Sequence, residues 1–329
     1  MNNERIKYID ILKGIAIILV VLGHVELFIV KETGVFITII SAIHVPTFIF
    51  LSGFLSYKKT TKRGFGNLQV LFIDKFKRLI IPFFVVSFTY SFIFKINYSQ
   101  LFESSYKYGY WFTLVLFYLY IIYLITNIIS RTFDTMWKDI VLYSVIYIII
   151  SLIFYSHIIP TKVFNILSYQ QIIFYFPVFT FGVLMKKYIQ FYEIVTKNNI
   201  LQFLSLIIFV FCIILYDNFK IDNLPLLILS NTTGVYSLIS IVRGMEKSRV
   251  INNKLLNSIG TKSLEIYLIH FFLLVPLKIM DLYSYTDKSL FMNIIFVLTI
   301  STIVISITVF IVTIINKSSV LNKILFGNK

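Results

Sequence analysis

A single cysteine, Cys212, removes several chemistries at once: no second thiol exists for a disulfide framework, a Cys-rich metal site or a dithiol redox pair. Cys212 itself sits inside an apolar run, where the surroundings disfavour the thiolate, and it is a poor candidate nucleophile. Charge is scarce as well. Only 14% of the residues are Asp, Glu, Lys or Arg, too few to cover the surface of a soluble globule. Long polar stretches are missing too; the longest connections are two basic loops near 57–78 and 243–262, which leaves no room for an appended soluble catalytic module. No cleavable signal peptide is visible, because the first apolar run is too long, is broken by Asp10 and Lys13, and lacks a small-residue cleavage site. That run is expected to remain as a span.

What fills the chain instead is apolar: 58% of residues are hydrophobic and the mean hydropathy is +0.87. Runs of the length that crosses a bilayer predict ten spans, at 9–29, 35–56, 79–96, 110–129, 139–156, 170–185, 199–216, 224–242, 263–280 and 290–315. Of the 30 Lys and Arg residues, 22 lie at the N-terminus and in every second connection after it, 7 in the alternate connections, and Lys13 inside a span. This bias places both termini in the cytoplasm. It also argues against nucleic acid as a partner, since the +15 charge is scattered over loops and tails and lines no groove. The expected fold is an all-α polytopic membrane protein, a single bundle of about ten transmembrane helices forming one domain over residues 1–329.

Ionisable residues inside such runs are the first candidates for function. Asp10, Lys13 and His24 fall within about 60° of one helix face on the first span. His44 lies on the second, followed by Pro46, which frees a backbone carbonyl, and by the small pair Ser52-Gly53. From the rise per residue, His24 stands about 22 Å from the cytoplasmic start and His44 about 14 Å from the outer start of a core about 30 Å thick. Both therefore fall in the outer half, at depths within a turn or so. Arg78 ends a basic stretch just before Pro82, and Ser263, Tyr267 and His270 share a face at i, i+4 and i+7. Each has a packing reading beside the functional one. His24, His44 and His270 could orient helices, Asp10 could pair with Lys13 or cap its helix, and the charge from Lys58 to Arg78 could be topology alone.

Taken together these residues resemble the membrane acyltransferase family 3, and within it the branch similar to fucose 4-O-acetylases. The resemblance rests on Arg5, Asp10, Lys13-Gly14 and Gly23-His24; on His44, Pro46 and Ser52-Gly53; on Arg78 and Pro82; on Trp111-Phe112; and on Ser263-Leu264, Ile266-Tyr267-Leu268 and His270. These motifs follow in the family's order over nearly the whole chain, and Lys13 stands where larger members carry a second Arg. The resemblance implies an O-acyltransferase, most simply an O-acetyltransferase of a bacterial plasma membrane. It would move an acyl group from cytoplasmic acyl-CoA (acetyl-CoA) to a sugar hydroxyl of a cell-envelope glycan or its lipid-linked precursor, without a metal. His24 would be the general base assisted by His44, while Arg78, Lys13, Asp10, Ser52, His270 and Tyr267 would bind the donor. Some members add an extracytoplasmic esterase-like domain; this chain ends at Lys329 without one, so transfer is expected to finish in the bundle or with a separate extracytoplasmic transferase, and a homo-oligomer is the other partner expected. The rival class is a secondary transporter or flippase, which also uses intramembrane ionisable residues, although no paired repeat of broken helices is visible in the hydropathy.

Overall fold

The computed structural model describes residues 7–30, 34–58, 65–156, 158–219, 223–247, 254–280 and 289–327. Arg5, part of the opening motif, and Lys62, part of the basic loop, lie outside the described residues. All the regular structure among the described residues is helical. The first helices are α1 (Lys7–Val25), α2 (Val35–Ser56), α3 (Phe65–Lys75), α4 (Ile81–Ile93), α5 (Tyr98–Glu103) and α6 (Trp111–Ser130). Then come α7 (Met136–Tyr155), α8 (Thr161–Leu167), α9 (Tyr169–Lys187), α10 (Ile189–Lys197), α11 (Asn199–Phe219) and α12 (Leu224–Lys247). The last are α13 (Lys254–Thr261), α14 (Ser263–Ile269), α15 (Phe271–Ile279), α16 (Leu290–Ile315) and α17 (Ser319–Phe326). Two wider π turns interrupt this series, Glu26–Val30 directly after α1 and Phe76–Ile80 between α3 and α4.

Among the described residues seven helical segments are long and apolar enough to cross a membrane, and the pair α8 and α9, bent by 49° where Ser168 takes a left-handed conformation, makes up to eight. The chain is an integral membrane protein. The third and ninth expected spans take other forms. Residues 79–96 begin in the π turn Phe76–Ile80 and continue as the 13-residue α4, which at about 1.5 Å per residue covers about 20 Å of a core about 30 Å thick. Residues 263–280 are divided at His270 into α14 and α15, with Pro276 removing a further helical hydrogen bond. Hydropathy averages over such breaks and cannot see them.

The chain packs as two compact units, Met1–Phe48 with Ile194–Ser318, and Ile49–Glu193 with Ser319–Lys329. In the first unit α1 packs against α12, α13, α14 and α16. Its contact with α13 is a backbone-to-backbone crossing. A β-carbon on Gly14 would collide with the Leu256 carbonyl, and one on Gly260 with the Asp10 carbonyl. Small residues permit this approach, and van der Waals packing holds it where lipid supplies no hydrophobic drive. In the second unit the C-terminal half of α2 crosses α9 in the same way, Gly53 against the Phe179 carbonyl and Gly182 against the Phe50 carbonyl. α17 folds back onto α4 in that unit, with Phe326 fully buried.

Candidate active site

The crossing at Gly14 and Gly260 sets the start of α14 beside α1, and the π turn after α1 packs against α15. The result brings together two histidines 246 residues apart. His24 Nδ1 lies 3.0 Å from His270 Nε2, with the rings 5.2 Å apart at 18°. His270 Nδ1 lies 3.1 Å from the Ile266 carbonyl one turn back, and the His270 side chain is wholly buried (0% exposed). His24 is only half-buried. The ring of Phe271 packs on both imidazoles at 4.6 and 4.2 Å, and Phe28 adds an edge at 5.9 Å from His24. One histidine is thus sealed behind and the other keeps an accessible edge.

The hydrogen bonds fix the protons. A carbonyl oxygen only accepts, so His270 carries its proton on Nδ1 and its Nε2 is a lone pair. The bond to that lone pair requires a proton on His24 Nδ1. A neutral His24 then presents an unprotonated Nε2, the atom a general base uses. The order Ile266 carbonyl, His270, His24 ends on a base.

His44 stands on α2, in the same unit as His24. The two helices approach where Gly23 faces Ile40 and Ile37, and a β-carbon at Gly23 would touch the Ile40 side chain at 3.0 Å. His44 spends Nδ1 on the Ile40 carbonyl at 2.5 Å, and Thr47 its hydroxyl on Ile43 at 2.7 Å, so the polar groups beside Pro46 fold back on their own helix. This leaves His44 Nε2 as an acceptor. The hydrogen-bond partner of His24 is accordingly His270, which the sequence reading had assigned to the donor.

The remaining sequence candidates fall in both units. In the first, Asp10 is buried and pairs with Lys13 at 3.7 Å, beside the Gly14 and Gly260 crossing, and Tyr267 is buried with its ring 6.1 Å from His270. In the second, Ser52 is half-buried, with its carbonyl accepting from Ser56 Oγ at 2.6 Å. Arg78 is exposed on the π turn Phe76–Ile80, where Gly327, at φ +63, packs its backbone against Lys77 and Arg78. One π turn starts two positions after His24 and the other contains Arg78. Such turns recur at functional sites, and no pattern in the sequence marks them. The described residues hold no group of three His, Cys, Asp or Glu side chains placed to bind a metal ion.

A family model described as an acyltransferase domain, acyltransferase family 3, matches residues 6–312. The chain belongs to that family. It is an acyltransferase, and its match runs through both units and includes His24, His44, Arg78 and His270. Among curated proteins and among solved structures, none matches.

Proposed function

We propose that this acyltransferase moves an acyl group, most simply acetyl, from cytoplasmic acyl-CoA to a sugar hydroxyl of a cell-envelope polysaccharide or its lipid-linked precursor, with His24 as general base. The observation that supports it is the His24 to His270 hydrogen bond, which leaves Nε2 of the half-buried His24 unprotonated. A sugar hydroxyl is a weak nucleophile near neutral pH and needs such a base. His24 Nε2 takes the hydroxyl proton as the oxygen attacks the thioester carbonyl. The new C–O bond forms, the C–S bond breaks, and the proton passes from His24 to the leaving thiolate of coenzyme A. Protons and charge balance without a further reactant.

Coenzyme A carries phosphates that cannot enter hydrocarbon, and an exposed guanidinium binds such groups bidentately. Arg78 is the residue for them in this reading, and the further candidates for holding the donor are Ser52, Tyr267 and Lys13, the last held by Asp10. His44 assists from α2 by accepting a hydrogen bond at Nε2 from acceptor or water. The protein works as one domain over 1–329 in a bacterial plasma membrane, with both termini cytoplasmic and the segments around α4 and α14–α15 completing ten passes. Its protein partners in this reading are a second copy of the chain or a separate extracytoplasmic transferase, neither of which the step at His24 requires. Mass spectrometry of envelope glycans with and without the gene tests the reading: loss of an O-acyl substituent is expected, and an unchanged set of acylated sugars would overturn it.

A further inference from the structure

We infer that His270 is a positioning residue that sets the tautomer of His24, and that it does not bind the acyl donor. The inference rests on the reading of His24 as base and deepens it. Both ring nitrogens of His270 are committed, Nδ1 to the Ile266 carbonyl at 3.1 Å and Nε2 to His24 at 3.0 Å, and its side chain has no exposed surface. No atom of the ring remains for a ligand. The opposite polarity is poor chemistry. If His270 Nε2 donated to His24, its Nδ1 would be bare and would face the Ile266 oxygen lone pair against lone pair, in a buried site where an unmade hydrogen bond is costly.

Without an acceptor at that place, nothing holds the His24 proton on Nδ1. The neutral ring could then carry it on Nε2, where the lone pair is needed, and a base in the wrong tautomer is no base. His270 has a second effect once the proton has moved. The His24 imidazolium keeps its Nδ1–H on the His270 lone pair, a charge-assisted bond stronger than the neutral one it replaces, so the developing cation is stabilised without water entering. Packing of Phe271 on both rings keeps them in register.

The test uses variants that differ in where they place an acceptor. Glutamine reaches the position of His Nε2; asparagine reaches only that of Nδ1. In purified, histidine-¹⁵N-labelled protein in lipid nanodiscs, the His24 ring signals, assigned by their loss in His24→Gln, are expected to report Nδ1 protonated and Nε2 bare in the wild type and in His270→Gln. In His270→Asn the population is expected to move toward protonated Nε2. Coenzyme A release from acetyl-CoA, in membranes bearing the native acceptor, is expected to be retained in His270→Gln and to fall about 10²–10⁴-fold in kcat in His270→Asn with KM for acetyl-CoA unchanged. His270→Met replaces Asn if that variant is not recovered folded. A His24 tautomer identical in the wild type and the Asn or Met variant, or a loss confined to KM, would overturn the inference. Ring signals as expected with no use of acetyl-CoA by the wild type would sustain the positioning role and instead count against the proposed reaction.

Discussion

Two buried polar clusters, one in each unit, show how differently ionisable groups can be kept in an apolar protein. In the second unit Lys187 donates to the Ser130 carbonyl at 2.5 Å, to Ser130 Oγ at 3.1 Å and to Asp139 Oδ2 at 2.5 Å, and Tyr188 adds a bond to the same carboxylate oxygen at 2.6 Å. The three protons of the ammonium are spent and the charges cancel locally, although the second carboxylate oxygen, Asp139 Oδ1, is buried without a hydrogen-bond partner among the described residues. In the first unit the hydrogen bonds of the His24 and His270 pair fit two neutral rings, and the chain ends on the half-buried His24, whose Nε2 carries no proton. A cluster whose charges cancel holds helices together; an uncharged pair that ends on an unprotonated ring nitrogen can do chemistry. An intramembrane ionisable residue is a functional hypothesis by default, and this contrast is what decides between the two uses.

The contrast can be broken in several ways. The largest effect is expected from the histidines of the first unit. If His44 acts with His24, each alanine variant loses most of the transfer rate, about 10²-fold or more, and the double variant little more, because residues acting as a unit are non-additive. Additive losses measured by coenzyme A release would return His44 to helix packing. Next is Lys187→Met, which leaves Asp139 as a buried charge without its partner and is expected to cost about 3–5 kcal/mol of stability. Lys187→Met with Asp139→Leu should recover much of that, as measured by melting in detergent. A variant that melts like the wild type would remove the structural role.

Smaller is Arg78→Ala, expected to raise KM for acetyl-CoA several-fold with kcat little changed, as loss of one charge-assisted phosphate contact implies, while Lys77→Ala leaves both unchanged. Equal effects would reduce Arg78 to topology charge. The smallest concerns Lys107, a buried ammonium on the connection before α6, donating to the carbonyls of Phe102, Ser104 and Asn165 at 2.5–2.9 Å. Burial lowers its pKa to about 8. A lysine titrating lower when folded than when unfolded leaves the unfolded chain with more bound protons above about pH 8, so the group's contribution to stability rises from there toward the ordinary lysine range. The melting temperature of the wild type relative to Lys107→Met should climb between pH 8 and 10 by this account; a fall would reverse the sign.

Much of this was legible in the residues. Lone ionisable groups in apolar runs pointed to His24, His44 and His270, the Arg5 to His24 pattern pointed to the family, and the boundaries of α2, α6 and α16 lie within a residue or two of the runs that predict them. What the sequence could not carry was partnership. His24 and His270 meet because Gly14 and Gly260 let two backbones touch, a tertiary event that depth along a single helix does not encode. Depth matched His24 with His44, and the hydrogen bond went to His270. The breaks at Ser168 and His270 were missed for a related reason: neither is a Pro or Gly, and each is held by its surroundings. Lys187 and Asp139 each sit near the end of an apolar run, where a charge reads as topology.

The central claim is that the uncommitted Nε2 of His24 is the base for acyl transfer. It is tested most directly by following label from radioactive acetyl-CoA into envelope glycan in membranes holding equal amounts of wild-type protein and of His24→Ala with an unchanged melting temperature. Removal of a general base is expected to lower transfer by about 10²–10⁴-fold or more; glycan labelled by His24→Ala at the wild-type rate would contradict the account.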